Sequence, residues 1–134
     1  MILLDTNVCI AAINRHPTSV LERLRHAGAR GIRTLVSTIS IFELRFGIAK
    51  SDRVAANAQA LELFLAPVDI LPFEQEDAKI AGNIRAELER VGRPIGPYDY
   101  LIAAQAIRHE LTLISANERE FSRVAGLRLE NWAV

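Results

Sequence analysis

Five apolar runs, each four residues long, constrain this chain more than any other feature. They are "MILL" at the N-terminus, "TLVS" at Thr34–Ser37, "VDIL" ending at Leu71, "TLIS" at Thr112–Ser115 and "LRLE" ending at Glu130. Runs this short suit buried strands rather than helices. The segments between them carry helical spacing. Val54, Ala58, Leu61 and Leu65 fall at +4, +7 and +11, and Ile80, Ile84, Leu88 and Val91 form a second stripe. Short apolar strands alternating with helices predict an α/β fold with a mostly parallel, roughly five-stranded sheet flanked by helices.

Local signals punctuate the helices. Asp5-Thr6-Asn7 is a cap for a helix beginning near Val8, and Pro17 opens a second helix. Ser37 and Thr38 cap a third, expected to bury Ile39, Phe42, Phe46 and Ala49 and to run toward Lys50. A helix is expected from about Glu74 to Val91, another after Gly96-Pro97, and a short one behind an Asn117…Glu120 capping box. Trp132 is expected to anchor the tail.

Composition narrows the class. The 134 residues are enough for one domain with a real core, and residues 1–134 are expected to form a single unit. Half the residues are apolar and 24% charged, as in an ordinary soluble globular protein. A net charge of zero argues neither for nor against nucleic acid. Of the 16 basic residues, only Lys50 and Lys79 are lysines. Arginine can grip phosphate with two parallel hydrogen bonds, or it can serve in surface ion pairs. Cys9 is the single cysteine, which excludes an internal disulfide and points to a reducing compartment. "MILL" is too short for a signal peptide, and no stretch approaches the roughly 20 apolar residues of a membrane span. A cytoplasmic protein is expected.

The acids follow the strands. Asp5 comes directly after the first, Glu43 lies in the second turn of the helix after the second, and Asp99 lies in the first turn of the helix before the fourth. In open parallel sheets these strand ends converge on one crevice, so residues 94 positions apart in the chain can meet. Taken singly, Asp5 reads as a helix cap and Glu43 as a surface glutamate beside an apolar stripe. Asp99 is harder to place as structure, because its helix continues through Ile102, Ala103 and Ala106, and an unpaired buried charge costs several kcal/mol. Three carboxylates in one crevice repel each other, and a divalent hard cation is the simplest remedy. All-oxygen ligands without clustered His or Cys favour Mg²⁺ or Mn²⁺ over zinc. Such an ion activates water and neutralises an attacked phosphate, so phosphodiester hydrolysis is the expected chemistry.

The blocks "LLDTN", "FEL" followed by "FG", "GRPIGPYDYLIAAQA" and "LISANEREFSRVAGLRLENW" together resemble the PIN-domain ribonucleases, specifically the VapC toxins of bacterial toxin–antitoxin pairs. The resemblance covers essentially the whole chain. It implies a three-layer sandwich and an Mg²⁺- or Mn²⁺-dependent endoribonuclease acting on single-stranded loops of structured RNA, such as a tRNA anticodon loop. The segment "IRAELERVGRPIGP" resembles the branch linked to initiator tRNA. The family's three core acids match Asp5, Glu43 and Asp99. A fourth acidic position falls at Asn117, an amide that fits either a helix cap or the site. Ser115 matches a hydroxyl position beside the site, and Thr6 sits next to Asp5. The resemblance also implies a homodimer and a cognate VapB-type antitoxin.

The expected roles are Asp5 and Asp99 as direct metal ligands, with Glu43 holding a second metal or a metal-bound water. In-line attack by water would leave a 5′ phosphate and a 3′ hydroxyl. Arg85 and Arg93, just upstream of Asp99, are candidates for RNA phosphate contacts, with ion pairing to Glu87 or Glu89 as the alternative. Tyr98 and Tyr100 are expected in core or dimer contacts, with base stacking as the alternative. A phospho-acceptor receiver fits poorly, because Lys50 and Lys79 both fall in expected helices. An Asp-x-Asp phosphatase fits poorly because "DTN" ends in asparagine. A catalytically silent module that binds RNA or antitoxin remains the alternative from a different class.

Overall fold

A computed structural model describes residues 1–134. In chain order the elements are β1 (Ile2–Leu4), α1 (Thr6–Asn14), α2 (Thr18–Ala29), β2 (Thr34–Ser37), α3 (Thr38–Ala49), α4 (Val54–Leu65), β3 (Asp69–Leu71), α5 (Gln75–Arg90), α6 (Pro97–Arg108), β4 (Thr112–Ile114), α7 (Glu118–Phe121) and β5 (Arg128–Glu130). The five strands form one sheet in the order β3-β2-β1-β4-β5, and every pairing is parallel. All five runs expected to be strands are strands. The sheet is wholly rather than mostly parallel because each connection between strands contains at least one helix.

Alternation along the strands produces three layers. Successive side chains of a strand point to opposite faces. Leu3 of β1, Leu35 of β2 and Leu113 of β4 enter the core beneath α5 and α6, while Leu4, Val36 and Ile114 enter the core on the α1–α4 side. The central strand β1 is buried on both faces, which is why "MILL" lacks polar alternation. Toward the edge, Asp69 and Ile70 of β3 are exposed. Gln105, the one polar residue in the apolar run of α6, is fully buried and donates from Nε2 to the Leu71 carbonyl (3.3 Å), tying α6 to that edge strand. Trp132 is buried against the α1–α4 core and donates to Glu130 from its indole N–H, anchoring the tail as expected.

The chain departs from expectation at α3. Phe42 and Phe46 are 55% and 60% exposed, while Ser40 and Leu44 are the buried residues of this helix. Apolar residues surround most of α3, so periodicity does not select its core face; packing against α1 and α4 does. Glu74 and Val91 cap α5 rather than lie within it, and the α5 cap is a reciprocal one in which Asp77 Oδ2 accepts from the Glu74 N–H at 2.8 Å.

Candidate active site

The strand order reverses between β1 and β4, since the chain leaves β1 for β2 and β3 and later returns to β4 on the other side. A crevice opens beyond the strand ends at such a point. Asp5 follows β1 and Ser115 follows β4, and the Asp5 N–H donates to the Ile114 carbonyl at 3.0 Å, so the two lie side by side there. One Asp5 oxygen accepts from the Thr6 N–H (2.8 Å), which makes Asp5 the N-cap of α1. The other accepts from the Ser115 hydroxyl (2.8 Å), and that hydroxyl in turn accepts from the Asn117 N–H (3.0 Å). Asp5 is therefore both a cap and a crevice residue. Burial is the main force raising its pKa, opposed by the bonds from Ser115 and Thr6 and reinforced by the Glu43 charge.

Glu43 reaches the same crevice from α3. The Thr6 hydroxyl lies 2.8 Å from Glu43 Oε1 and 2.9 Å from the Ser40 hydroxyl. A hydroxyl has one proton, so Thr6 donates to the carboxylate while accepting from Ser40. Gly47, one turn later, has open space where a side chain would stand. Asp99 lies half-buried in the first turn of α6, less enclosed than its apolar neighbours Ile102 and Ala103. Its pKa is raised from 3.8 to about 7, first by burial and then by the charges of Asp5, Glu120 and Glu43.

Glu120 is the residue that sequence reasoning missed as a site member. The motif Asn117…Glu120 suggests a capping box in which the glutamate turns back to its own helix start. Glu120 Oε2 does turn back to Asn117, accepting from its side-chain amide (2.9 Å) rather than its backbone N–H, but Oε1 reaches away to accept from the Gly96 N–H (3.1 Å). Asn117 does cap α7, accepting from the Glu120 N–H at 3.4 Å. The signal lay in the sequence as an acid following the last crevice residue, but local helix chemistry explained it first.

The protein's ion pairs engage Glu62, Asp69, Glu74, Asp77, Glu87, Glu89, Glu110 and Glu130; of the acids without a basic partner, Glu22, Asp52, Glu76 and Glu118 are exposed, while Asp5, Glu43, Asp99 and Glu120 are buried or partly buried. The crevice acids are close enough for their charges to act on one another. The one group of three acidic or histidine side chains whose ligand atoms all lie within 4.8 Å is Glu74, Asp77 and His109, and Arg108 already sits on its two acids at 3.1 and 3.3 Å. Arg85 pairs with Glu89 at 2.7 Å and lies over the Tyr100 ring, the ion-pair alternative for this residue, while Arg93 is exposed. Tyr100 is buried, with its hydroxyl accepting from the Ile95 N–H at 3.0 Å. Tyr98 is 42% exposed and meets Phe42 edge to face at 5.7 Å. Burial and the nearby Asp5 charge push the Cys9 thiol up, away from the reactive thiolate form.

A parallel sheet with unpaired acids gathered beyond its strand ends defines a class that comparison with known proteins makes specific. The PIN domain family matches residues 2–127. Along the chain's length it is 40% identical over 131 residues to the tRNA(fMet)-specific endonuclease VapC of Shigella flexneri, spanning 98% of this chain and 97% of that one. It is 39% identical to ribonuclease VapC2 of Rickettsia felis, over 97% and 96% of the two chains. The solved structure of VapBC2 from Rickettsia felis, bound to a DNA fragment from its promoter, superposes with a TM-score of 0.91 at 38% identity, covering 98% of this chain and 99% of that one. This chain belongs to the PIN domain family, and within it to the VapC group.

Proposed function

We propose that residues 1–134 form one PIN domain that acts as the toxin of a type II toxin–antitoxin pair, an endoribonuclease requiring Mg²⁺ or Mn²⁺. Its substrate is a single-stranded loop of structured RNA, with the initiator tRNA anticodon loop as the first candidate, a reading supported by the name of the Shigella flexneri relative. The proposed partners are a VapB-type antitoxin, supported by the VapBC structural neighbours, and a second copy of the chain. Exposed Phe42, Phe46 and Tyr98 give the molecule an apolar patch of the kind that a partner covers. No helix is long and apolar enough to cross a membrane, and a cytoplasmic site of action fits RNA as substrate.

One observation carries the enzymatic reading: four carboxylates share the crevice, and no lysine, arginine or histidine neutralises them. The donor set fits a hard divalent ion, being all oxygen, and such an ion would offset the charges of Asp5, Glu120 and Glu43 that add to burial in raising the Asp99 pKa. Asp5 and Asp99 would hold it directly, with Glu43 acting through water or at a second ion. When bound, the ion supplies charge neutralisation at the scissile phosphate and a more acidic water. The chain supplies the geometry. Ser115 and the Thr6 N–H fix both oxygens of Asp5, and Thr6 holds Glu43 from the side. Neutral Asp99 would be a poor ligand, so its proton must leave as the site fills.

The test is cleavage of end-labelled RNA by purified protein in Mg²⁺, Mn²⁺ or EDTA, with Asp99→Asn alongside. Cleavage confined to the metal arms, leaving 5′ phosphate and 3′ hydroxyl ends and lost in the variant, is expected. Wild-type cleavage in EDTA or by Asp99→Asn refutes the mechanism. Tight RNA or antitoxin binding with no cleavage in any arm leaves a silent binding module in its place.

A further inference from the structure

Gly96 stands three residues before Asp99, and its backbone does not explain why it is glycine. Its φ of −57° and ψ of 144° are open to any residue, and they are the extended values favoured before a proline such as Pro97. Space is what separates it from the other glycines. A Cβ at Gly96 would lie 2.9 Å from Asp99 Oδ2 and 3.5 Å from Asp99 Cγ, whereas a Cβ at any of the other six would meet nothing within 4 Å. The Asp99 carboxylate therefore lies folded back over the Cα of residue 96.

That Cα is itself held. The Gly96 N–H donates to Glu120 Oε1, and Glu120 Oε2 accepts from the Asn117 amide. The Asn117 N–H reaches the Ser115 hydroxyl, which donates to Asp5. Hydrogen bonds thus run unbroken from the seat of the Asp99 carboxylate to the carboxylate of Asp5. Arg123 Nη1 donating to the Pro94 carbonyl (2.7 Å) and Ile95 N–H donating to the Tyr100 hydroxyl fix the segment just before the seat. Glu120 thus joins the segment before α6 to Asn117, with one oxygen on each.

We infer that Gly96 is a positioning residue for Asp99: its missing side chain leaves room for the carboxylate to lie back, and the Glu120 clamp on its N–H fixes where that room is. This rests on the reading of Asp99 as a metal ligand and adds what sets the ligand's place. In Gly96→Ala the far end of a flexible side chain must yield, which is cheap for the fold and displaces the one group the site needs.

The experiment measures Mn²⁺ affinity by electron paramagnetic resonance, together with kcat and KM for RNA cleavage and the melting temperature in EDTA. The proteins are wild type, Gly96→Ala, Glu120→Gln, Glu120→Ala and Asp99→Asn. Gly96→Ala should melt at or above the wild-type temperature, because alanine restricts the unfolded chain at a conformation it readily adopts. It should lose Mn²⁺ affinity about 10- to 100-fold, the usual effect of disturbing a residue behind a metal ligand. kcat should fall with the affinity, and KM for RNA should hold. Glu120→Gln keeps an acceptor for the Gly96 N–H and should retain clearly more affinity than Glu120→Ala. Wild-type Mn²⁺ affinity in Gly96→Ala overturns the inference, as does a lowered melting temperature that accounts for its loss. Equal losses in the two Glu120 variants overturn the clamp and make Glu120 a ligand. In these outcomes the metal reading survives, because wild type binds and Asp99→Asn does not. A wild-type protein that binds no Mn²⁺ sinks both readings.

Discussion

Asp99→Asn should make the metal-free protein more stable, and only above a definite pH. The Asp99 carboxyl titrates near 7 in the folded protein against an ordinary 3.8, so between those values the folded state keeps a proton that the unfolded state has lost. Stability therefore falls as pH rises through that window, and the full penalty stands above 7. A shift of this size corresponds to about 4 kcal/mol if taken at face value. Asp99 remains partly in contact with water, and screening reduces the figure to about 1–2 kcal/mol. Asparagine has nearly the same shape, carries no charge and keeps the Asp99 N–H to Gly96 carbonyl bond of the backbone. Melting followed by circular dichroism in EDTA should show the variant and wild type together near pH 4. They should separate to about 4–8 °C at pH 8, with the variant higher, for a chain of this size. Saturating Mn²⁺ should invert the order, since ligand at 100 times its dissociation constant adds about 2.7 kcal/mol to a protein that binds it. A variant no more stable than wild type at pH 8 in EDTA, or equally stabilised at pH 4, refutes the account of a crevice loaded with unrelieved charge.

Ser115→Ala should cost about 1–3 kcal/mol in urea unfolding, because it strands the Asp5 oxygen and the Asn117 N–H that the hydroxyl joins. RNA cleavage should fall as well, since Asp5 loses one of its two anchors. Asp77→Ala should cost about 2–4 kcal/mol by removing a fully buried acid that caps α5 and pairs with Arg108. A Mn²⁺ titration of the same variant should match wild type, because Arg108 and Asp77 meet at the end of α6 opposite Asp99.

Much of this fold was legible because strands buried on both faces need no polar alternation, and five such runs stand out against amphipathic helices. The layers were not legible. Whether Leu3 or Leu4 faces α6 depends on where β1 meets β2 and β4, and that register (Leu3 opposite Leu35 and Leu113) is set by packing across the sheet. The face of α3 is hidden in the sequence for a related reason. Ile39, Ile41, Phe42, Leu44, Phe46 and Ile48 spread around the helix, so hydrophobicity alone does not choose a side. Packing against α1 and α4 chooses it, and the Thr6 hydroxyl, which holds Ser40 and Glu43, lies on the same inward side, leaving Phe42 and Phe46 exposed.

At the crevice, sequence reasoning found the acids that follow strands and missed the one that follows a cap motif. The two kinds of role are not rivals. Asp5 caps α1 with one oxygen and faces Ser115 with the other, and Asp99 occupies the first turn of α6. Both helices thus begin at the crevice, with their unpaired N–H groups and positive dipole ends toward it. A cap works best when its carboxylate is charged, and a metal ligand has the same requirement. The helix starts therefore offset part of the burial and repulsion while the site is without metal, and they hold the acids in the orientation that an ion would use. Asp99 has the weaker share of this support, with no cap bond of its own, and it is the carboxyl whose pKa climbs to about 7. The cap bond that makes Asp5 look structural is one of the two that fix its carboxylate at the crevice.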